Sequence, residues 1–251
     1  MNNVKAIGFD LFNTLITVRP EALVAALTRL IDSLEQNGVE VDDQAFRRDH
    51  RRAALHFIAA TRSDGRETHN RFWISAALEE QGHEISPDDE RIAAAVDAYF
   101  SAFFDFSVLI PETIEMLARL QQVYPLGLLS NFTHAPAART ILEQLELNRF
   151  FEVILISGEI GYRKPHPLVF QMLSKALGFK AEEIAYVGDD PEPDVGGALG
   201  AGLKPIWTTY VRDWKIPFAP GVAPGQSVGV DGGVPRISSW QELLSFFTNQ
   251  V

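Results

Sequence analysis

The feature that most constrains this chain is a set of short apolar runs that do not alternate. Residues 4–9, 126–129, 153–156, 184–187 and 205–208 are each nearly continuous in apolar residues. A strand with one wet face alternates apolar and polar positions, so an unbroken run points to a strand buried on both faces, as in a parallel sheet covered by helices. The first four runs end at Asp10, Ser130, Ser157 and the pair Gly188-Asp189. Between the later runs lie stretches with helical spacing, 111–122, 136–147, 167–177 and 193–199, each opening on a proline. Proline suits the first turn of a helix, and Gly178 closes the third stretch. Alternating strands and helices predict an α/β fold with a doubly wound parallel, Rossmann-like sheet.

The alternation is interrupted once. From residue 15 to residue 110 the pattern is helical only, in stretches 20–36, 42–61, 68–81 and 87–104, punctuated by Asn37-Gly38, Ser63-Asp64-Gly65 and Gly82. Four such helices fit a compact bundle inserted after the first strand. The expected division is a core of residues 1–16 and 109–251, with residues 17–108 as an inserted helical domain. Residues 217–235, rich in glycine and proline, are expected to be a loop, and 238–247 a final helix.

Composition narrows the function. At 251 residues and 46% hydrophobic, the chain can bury a sizeable core. It has no cysteine, which excludes disulfides, zinc–thiolate sites and a cysteine nucleophile. The net charge of -11 argues against a nucleic-acid binder. The one basic cluster is Arg47, Arg48, Arg51 and Arg52, interleaved with Asp49 and His50. It reads as a solvated helix face, with local attraction of an anionic substrate as the alternative. No apolar run is long enough to span a bilayer, and the first ten residues lack the apolar stretch of a signal peptide. The expectation is a cytoplasmic protein with no membrane partner.

Four polar residues fall at or just beyond the carboxyl ends of the expected strands: Asp10, Ser130, Lys164 and Asp189. In open α/β sheets ligands bind at that edge. A carboxylate, a hydroxyl, a cation and a second carboxylate gathered there make a candidate site.

These residues sit in segments that resemble the motifs of the haloacid dehalogenase superfamily. Phe9-Asp10-Leu11-Phe12-Asn13-Thr14-Leu15 is similar to its first motif, and Leu128-Leu129-Ser130-Asn131 to its second. Arg163-Lys164-Pro165-His166-Pro167 is similar to the third. The fourth is matched by the segment from Val187-Gly188-Asp189-Asp190 to Asp194, with Gly197-Ala198 and Ala201-Gly202 following. The resemblance implies a hydrolase, with the helical insert as a cap over the site. It implies Asp10 as covalent nucleophile, forming an aspartyl intermediate. It implies Mg2+ held by Asp10, Asp189 and the backbone carbonyl of Phe12, since oxygen donors suit this hard cation. Ser130 and the backbone N–H of Asn131 would bind a transferring phosphoryl oxygen, and Lys164 would supply a fixed positive charge. Asp194 would orient Lys164 or a metal-bound water, and Asp190 is either part of the site or a turn residue.

Position 12 departs from the pattern. Phosphatases of the superfamily carry a second aspartate there, which protonates the leaving group and then activates water. Phe12 does neither, and the dehalogenase branch, whose halide leaves unprotonated, has an aromatic residue at this place. Asp189 pulls the other way, because those dehalogenases work without metal and lack this carboxylate. The reading is a magnesium-dependent phosphatase acting on a small phosphorylated metabolite. The alternatives are a metal-independent 2-haloacid dehalogenase, with Arg19 holding the substrate carboxylate, and a non-catalytic binding protein. A replacement acid is sought in the insert at His50, His56 or His69, though each also fits a plain helix-face position. Phe72 and Trp73 are either substrate-facing or core residues of the insert.

Overall fold

A computed structural model describes residues 3–219 and 233–247. The chain opens with β1 (Ala6–Phe9) and β2 (Ile16–Val18). Four helices follow: α1 (Glu21–Gln36), α2 (Asp43–Ala60), α3 (Asn70–Glu79) and α4 (Glu90–Phe106). Then come β3 (Ser107–Leu109), α5 (Thr113–Gln121), β4 (Leu126–Ser130), α6 (Ala135–Gln144), β5 (Val153–Ile156), α7 (Ser157–Ile160) and α8 (Pro167–Leu177). The chain continues through β6 (Ile184–Gly188), a π-helical turn over Pro191–Gly196, α9 (Gly197–Gly200) and β7 (Lys204–Thr208). It closes with α10 (Tyr210–Asp213), β8 (Arg236–Ile237) and α11 (Trp240–Ser245).

Six strands form one parallel sheet in the order β5-β4-β1-β6-β7-β8. From β1 the chain winds outward to β4 and β5, then crosses to the other side of β1 to build β6, β7 and β8. The reversal leaves a crevice at the carboxyl ends of β1 and β6, where Asp10 and Asp189 emerge. β1, β4 and β6 are buried throughout, as their unbroken apolar runs require. No described helix is long and apolar enough to cross a membrane.

In the inserted segment α1 buries Ala22, Ala26, Leu30 and Leu34, one residue per turn and a stripe on one face. That stripe packs along α4, which buries Ile92, Val96, Tyr99 and Phe103 at similar spacing. α2 and α3 meet around Ala53, Ala54 and Trp73. Asp42 and Asp89 start α2 and α4 by accepting the backbone N–H groups of Ala45 and Arg91, donors that a helix leaves unpaired at its first turn.

Helix alone was the expectation between residues 15 and 110, and a two-stranded antiparallel ribbon corrects it. β2 pairs with β3 in the register Ile16↔Leu109, Thr17↔Val108 and Val18↔Ser107. Strands of three residues carry too little periodicity to be read. The basic cluster on α2 is a solvated face: Arg47 pairs with Asp43, and Arg52 with Asp49 and Glu80. Residues 220–232 of the expected loop lie outside the described residues.

The loop between α2 and α3 docks on the loop before α8. Arg163 N–H donates to Gly65 O at 2.9 Å, and Glu67 N–H donates to Gly161 O at 2.9 Å. Gly65 has φ +65, and a Cβ on it would lie 2.6 Å from His166 Cβ, so the close approach requires glycine. The Arg163 guanidinium donates to Ile58 O and Thr61 Oγ1 and lies 3.4 Å from Glu67 Oε1. Glu67 Oε2 in turn accepts from Ser157 Oγ at 2.5 Å. Glu67 and Arg163 side chains are only 7% and 14% exposed, so these contacts are sheltered from water.

Glu67→Ala should therefore lower the unfolding free energy by about 2–3 kcal/mol, the range for a charged hydrogen bond lost from a sheltered site. Glu67→Gln keeps an acceptor for Ser157 and should lose less. Urea denaturation of the three proteins measures both; an unchanged midpoint in Glu67→Ala would show that the latch contributes nothing.

Candidate active site

Asp10 leaves the end of β1, its N–H donating to Val187 O at 2.9 Å. The next turn is tight: the N–H groups of Leu15 and Ile16 both donate to Leu11 O. It brings Thr14 back so that its hydroxyl donates to Asp10 Oδ2 at 3.1 Å. The other oxygen, Oδ1, accepts from Lys164 Nζ at 2.5 Å.

Lys164 is buried, and its ammonium spends all three protons inside the protein. It donates to Asp10, to Asp194 Oδ1 at 2.6 Å and to Tyr186 Oη at 3.0 Å. Tyr186 passes its own proton to Leu129 O. Lys164 is held by its backbone as well: its N–H donates to Asn131 Oδ1 at 2.8 Å, and its carbonyl accepts from Asn131 Nδ2 at 3.0 Å. The Asn131 side chain is thus a clamp on Lys164.

Asp194 accepts Lys164 on one oxygen and Asp190 N–H on the other, at 3.0 Å. Gly188 makes room for it, since a Cβ at 188 would clash with Asp194 Cγ. Asp190 is a turn residue, accepting from Glu192 N–H at 3.2 Å. Asp189 projects beyond β6, its backbone carbonyl accepting from Trp207 Nε1–H at 3.0 Å and its carboxylate 3.7 Å from Arg212. Carboxylate oxygens of Asp10, Asp189 and Asp194 lie within 4.8 Å of one another.

The electrostatics follow from this crowding. Burial pushes the Asp10 carboxyl up to about 6, with Lys164 opposing. Burial, then Asp194 and Asp10, push Asp189 well above the usual carboxylate range, against the pull of Arg212. Burial alone would lower Lys164, but the Asp10 and Asp194 charges override it and raise it well above its ordinary value. Ser130 ends β4, beside β1, and its buried hydroxyl has no hydrogen-bond partner among the described residues. An unpaired buried hydroxyl at a strand end is a donor waiting for a ligand.

Phe12 is half-buried and stacks on Phe132, ring centroids 4.8 Å apart. Both line a cavity of about 240 Å³ between the sheet's edge and the inserted helices, together with Leu23, Trp73, Tyr99, Phe100, Phe103 and Asn131. Trp73 is therefore a cavity residue, whereas Phe72 packs against Phe57 and Arg71. The three histidines do not line the cavity. His50 is buried and bonds Asn70 Oδ1 at 2.7 Å, and His56 sits edge-on to Phe57. His69 caps α3, and burial, then His134 and Arg71, lower it to about 4, which leaves it neutral and a poor acid at neutral pH. Arg19 is exposed over the Phe106 ring rather than in the cavity.

The sequence-derived residues Asp10, Lys164, Asp189 and Asp194 thus meet, with Ser130 on the adjacent strand and Asn131 fixing Lys164. Sequence reading missed Thr14, Tyr186, Trp207 and Arg212. Thr14 was visible as a hydroxyl four residues after Asp10, and Tyr186 as a phenol inside an apolar run. Trp207 and Arg212 carried no local signal.

Residues 4–202 match the family model of haloacid dehalogenase-like hydrolase. The glyceraldehyde 3-phosphate phosphatase of Pyrococcus furiosus is 31% identical, over 84% of this chain and 82% of that protein. The ribulose-1,5-bisphosphate 5-phosphatase of Halopiger xanaduensis is also 31% identical, over 80% of this chain and 83% of that protein. Among solved structures, a 2-haloacid dehalogenase from Pseudomonas syringae pv. Tomato superposes with a TM-score of 0.70 at 22% identity, covering 99% of this chain and 100% of its own, a likeness of fold alone. With the motif residues gathered at one sheet edge and a family match spanning most of its length, the chain belongs to the haloacid dehalogenase-like hydrolases.

Proposed function

We propose that this hydrolase is a magnesium-assisted phosphatase acting on a small phosphorylated metabolite through Asp10, with residues 17–108 as the cap over its site. The observation that carries the reading is the buried Asp10–Lys164–Asp194 chain with Asp189 beside it. The phosphatase names of the relatives that align over most of the chain support it.

The donor set fits a hard divalent cation. Its three carboxylates crowd one another, and among the described residues only Lys164 and the more distant Arg212 pair with them. Asp10, Asp189 and the Phe12 carbonyl would hold the ion. Bound there, it would neutralise charge between the Asp10 carboxylate and an anionic phosphoryl group.

The chain's own groups then divide the work. An Asp10 oxygen attacks phosphorus, the bond to the leaving oxygen breaks, and an aspartyl phosphate forms. Water attacks the phosphorus in turn, releasing phosphate and restoring Asp10. The Ser130 hydroxyl and the Asn131 backbone N–H donate to the transferring oxygens. Lys164, its protons already committed, acts as a fixed charge, and Asp194 keeps it in place. Phe12 gives no proton to the leaving group, so substrates with acidic leaving groups are favoured.

The dehalogenase reading draws on Phe12 and on Arg19 as holder of a substrate carboxylate. Against it stand Asp189, an added carboxylate beside Asp10, and the exposed position of Arg19 away from the cavity.

Asp10→Asn should abolish turnover with the fold intact, because the amide is nearly isosteric but a poor nucleophile. Steady-state assay alongside circular dichroism checks this; retained turnover removes Asp10 from its role. Magnesium should raise the melting temperature, since a ligand bound only by the folded state stabilises it by mass action. The rise should vanish in Asp189→Ala, and a shift that persists there would locate the ion elsewhere. Phe12→Asp should raise kcat/KM on alkyl phosphates by up to about 10²–10⁴-fold, the usual worth of general acid–base catalysis, with little gain on acyl phosphates. Wild-type rates that are already equal on both classes would show that another residue supplies the proton.

A further inference from the structure

Aromatic rings make up much of the wall of the cavity beside the site, with the polar groups of Asn13, Asn131 and Thr133 along one side. Phe12 stacks on Phe132 with centroids 4.8 Å apart and an interplanar angle of 19°. Phe100 and Phe103 of α4 meet Phe132 edge-on, at 5.2 and 5.8 Å. Trp73 of α3 and Leu23 of α1 complete the wall. The same cavity is lined by Asn13, Asn131 and Thr133, which follow Asp10 and Ser130 along the chain. These residues set the cavity next to the turns that carry Asp10 and Ser130. The Asn131 amide is held in one orientation, because Lys164 backbone groups engage both its ends, at 2.8 and 3.0 Å.

We propose that this cavity receives the leaving group, and that the substrate is a phosphate ester or acyl phosphate carrying an apolar aryl group. The inference rests on the phosphatase reading and names its substrate class. A polyhydroxylated leaving group would lose water against the rings of Phe12, Phe100, Phe103 and Phe132, whereas an aromatic ring is matched by them, with the polar side of the cavity left for the phosphoryl end. The size agrees: the cavity is about 240 Å³, and an apolar cavity of about 150 Å³ already takes a benzene ring. The absent acid at position 12 points the same way, since a phenol or carboxylic acid leaves more easily without a proton than an alkanol does. Wall and leaving group thus agree through one residue, Phe12.

Benzoyl phosphate and acetyl phosphate isolate the ring, because both expel a carboxylate and differ in the group attached to it. With magnesium present, kcat/KM should favour benzoyl phosphate by about 10- to 100-fold, the transfer advantage of burying one phenyl group. Phenylphosphonate should bind more tightly than methylphosphonate by a similar factor in calorimetry. Leu23→Trp, which fills the cavity from α1, should bring both ratios toward one. Equal kcat/KM for the two acyl phosphates, or equal binding of the two phosphonates, would overturn the aryl cavity while leaving the phosphatase reading intact. Absence of turnover on both acyl phosphates would overturn the phosphatase reading, and the phosphonate comparison would still decide the cavity.

Discussion

One buried cation holds this structure's chemistry together. The Lys164 ammonium lies between Asp10 and Asp194, 2.5 and 2.6 Å from their oxygens, with almost no exposure to solvent. Desolvating a lysine is costly, and only well-placed partners repay the cost. Here the partners come from distant parts of the chain: Asp10 from the end of β1, Asp194 from the turn after β6, and Tyr186 from β6 itself. The lysine is clamped in addition by Asn131 at the end of β4. Three neighbouring strands of the sheet therefore converge on one side chain, and the sheet order sets where the charge sits. Charge balance then gives Asp189 its meaning. Lys164 brings one positive charge to a cluster of three carboxylates, and Arg212, at 3.7 Å from Asp189 and half in solvent, is a weak counterweight. The surplus negative charge is what a divalent cation would answer on the proposed reading.

The strands were legible because burial on both faces leaves an unbroken apolar run, and the site residues were legible because they stand where those runs stop. The observed β5 coincides with the run at 153–156, and β4 and β6 each extend one residue beyond theirs. What sequence could not supply is contact between remote residues. Glu67 and Arg163 are both ordinary charged residues in loops, and only the fold makes them a sheltered pair. The β2–β3 ribbon was too short to leave a period. The insert's histidines show the reverse limit: their residue type left a chemical role open beside a plain helix-face position, and in the fold they pack against Asn70, Phe57 and His134 rather than lining the cavity.

The aromatic wall lies between these cases. Of its residues the sequence singled out Phe12 and Trp73, whereas Phe100 and Phe103 sit at helical spacing that fits an ordinary core. Phe100 and Phe103 are indeed buried within the main apolar cluster, and Trp73 within a smaller one. They line the cavity only because α3 and α4 bring them over the turn that carries Phe12. A core position and a ligand-facing position differ here by the presence of an opposing helix, which no local pattern records.

Phe12 joins the two halves of the argument. Its backbone belongs to the turn that follows Asp10, so its carbonyl is available to the same site whatever the side chain. Its ring belongs to the cavity, stacked on Phe132. A side chain at this position can form an apolar wall or deliver a proton to the leaving oxygen, but not both. A chain with the wall forgoes the proton, and its substrates must then supply a leaving group that needs none. An aryl or acyl leaving group satisfies that requirement and also fills the wall. On the proposed reading, recognition and chemistry at position 12 would select the same class of molecule, although one constraint is apolar contact and the other is acidity.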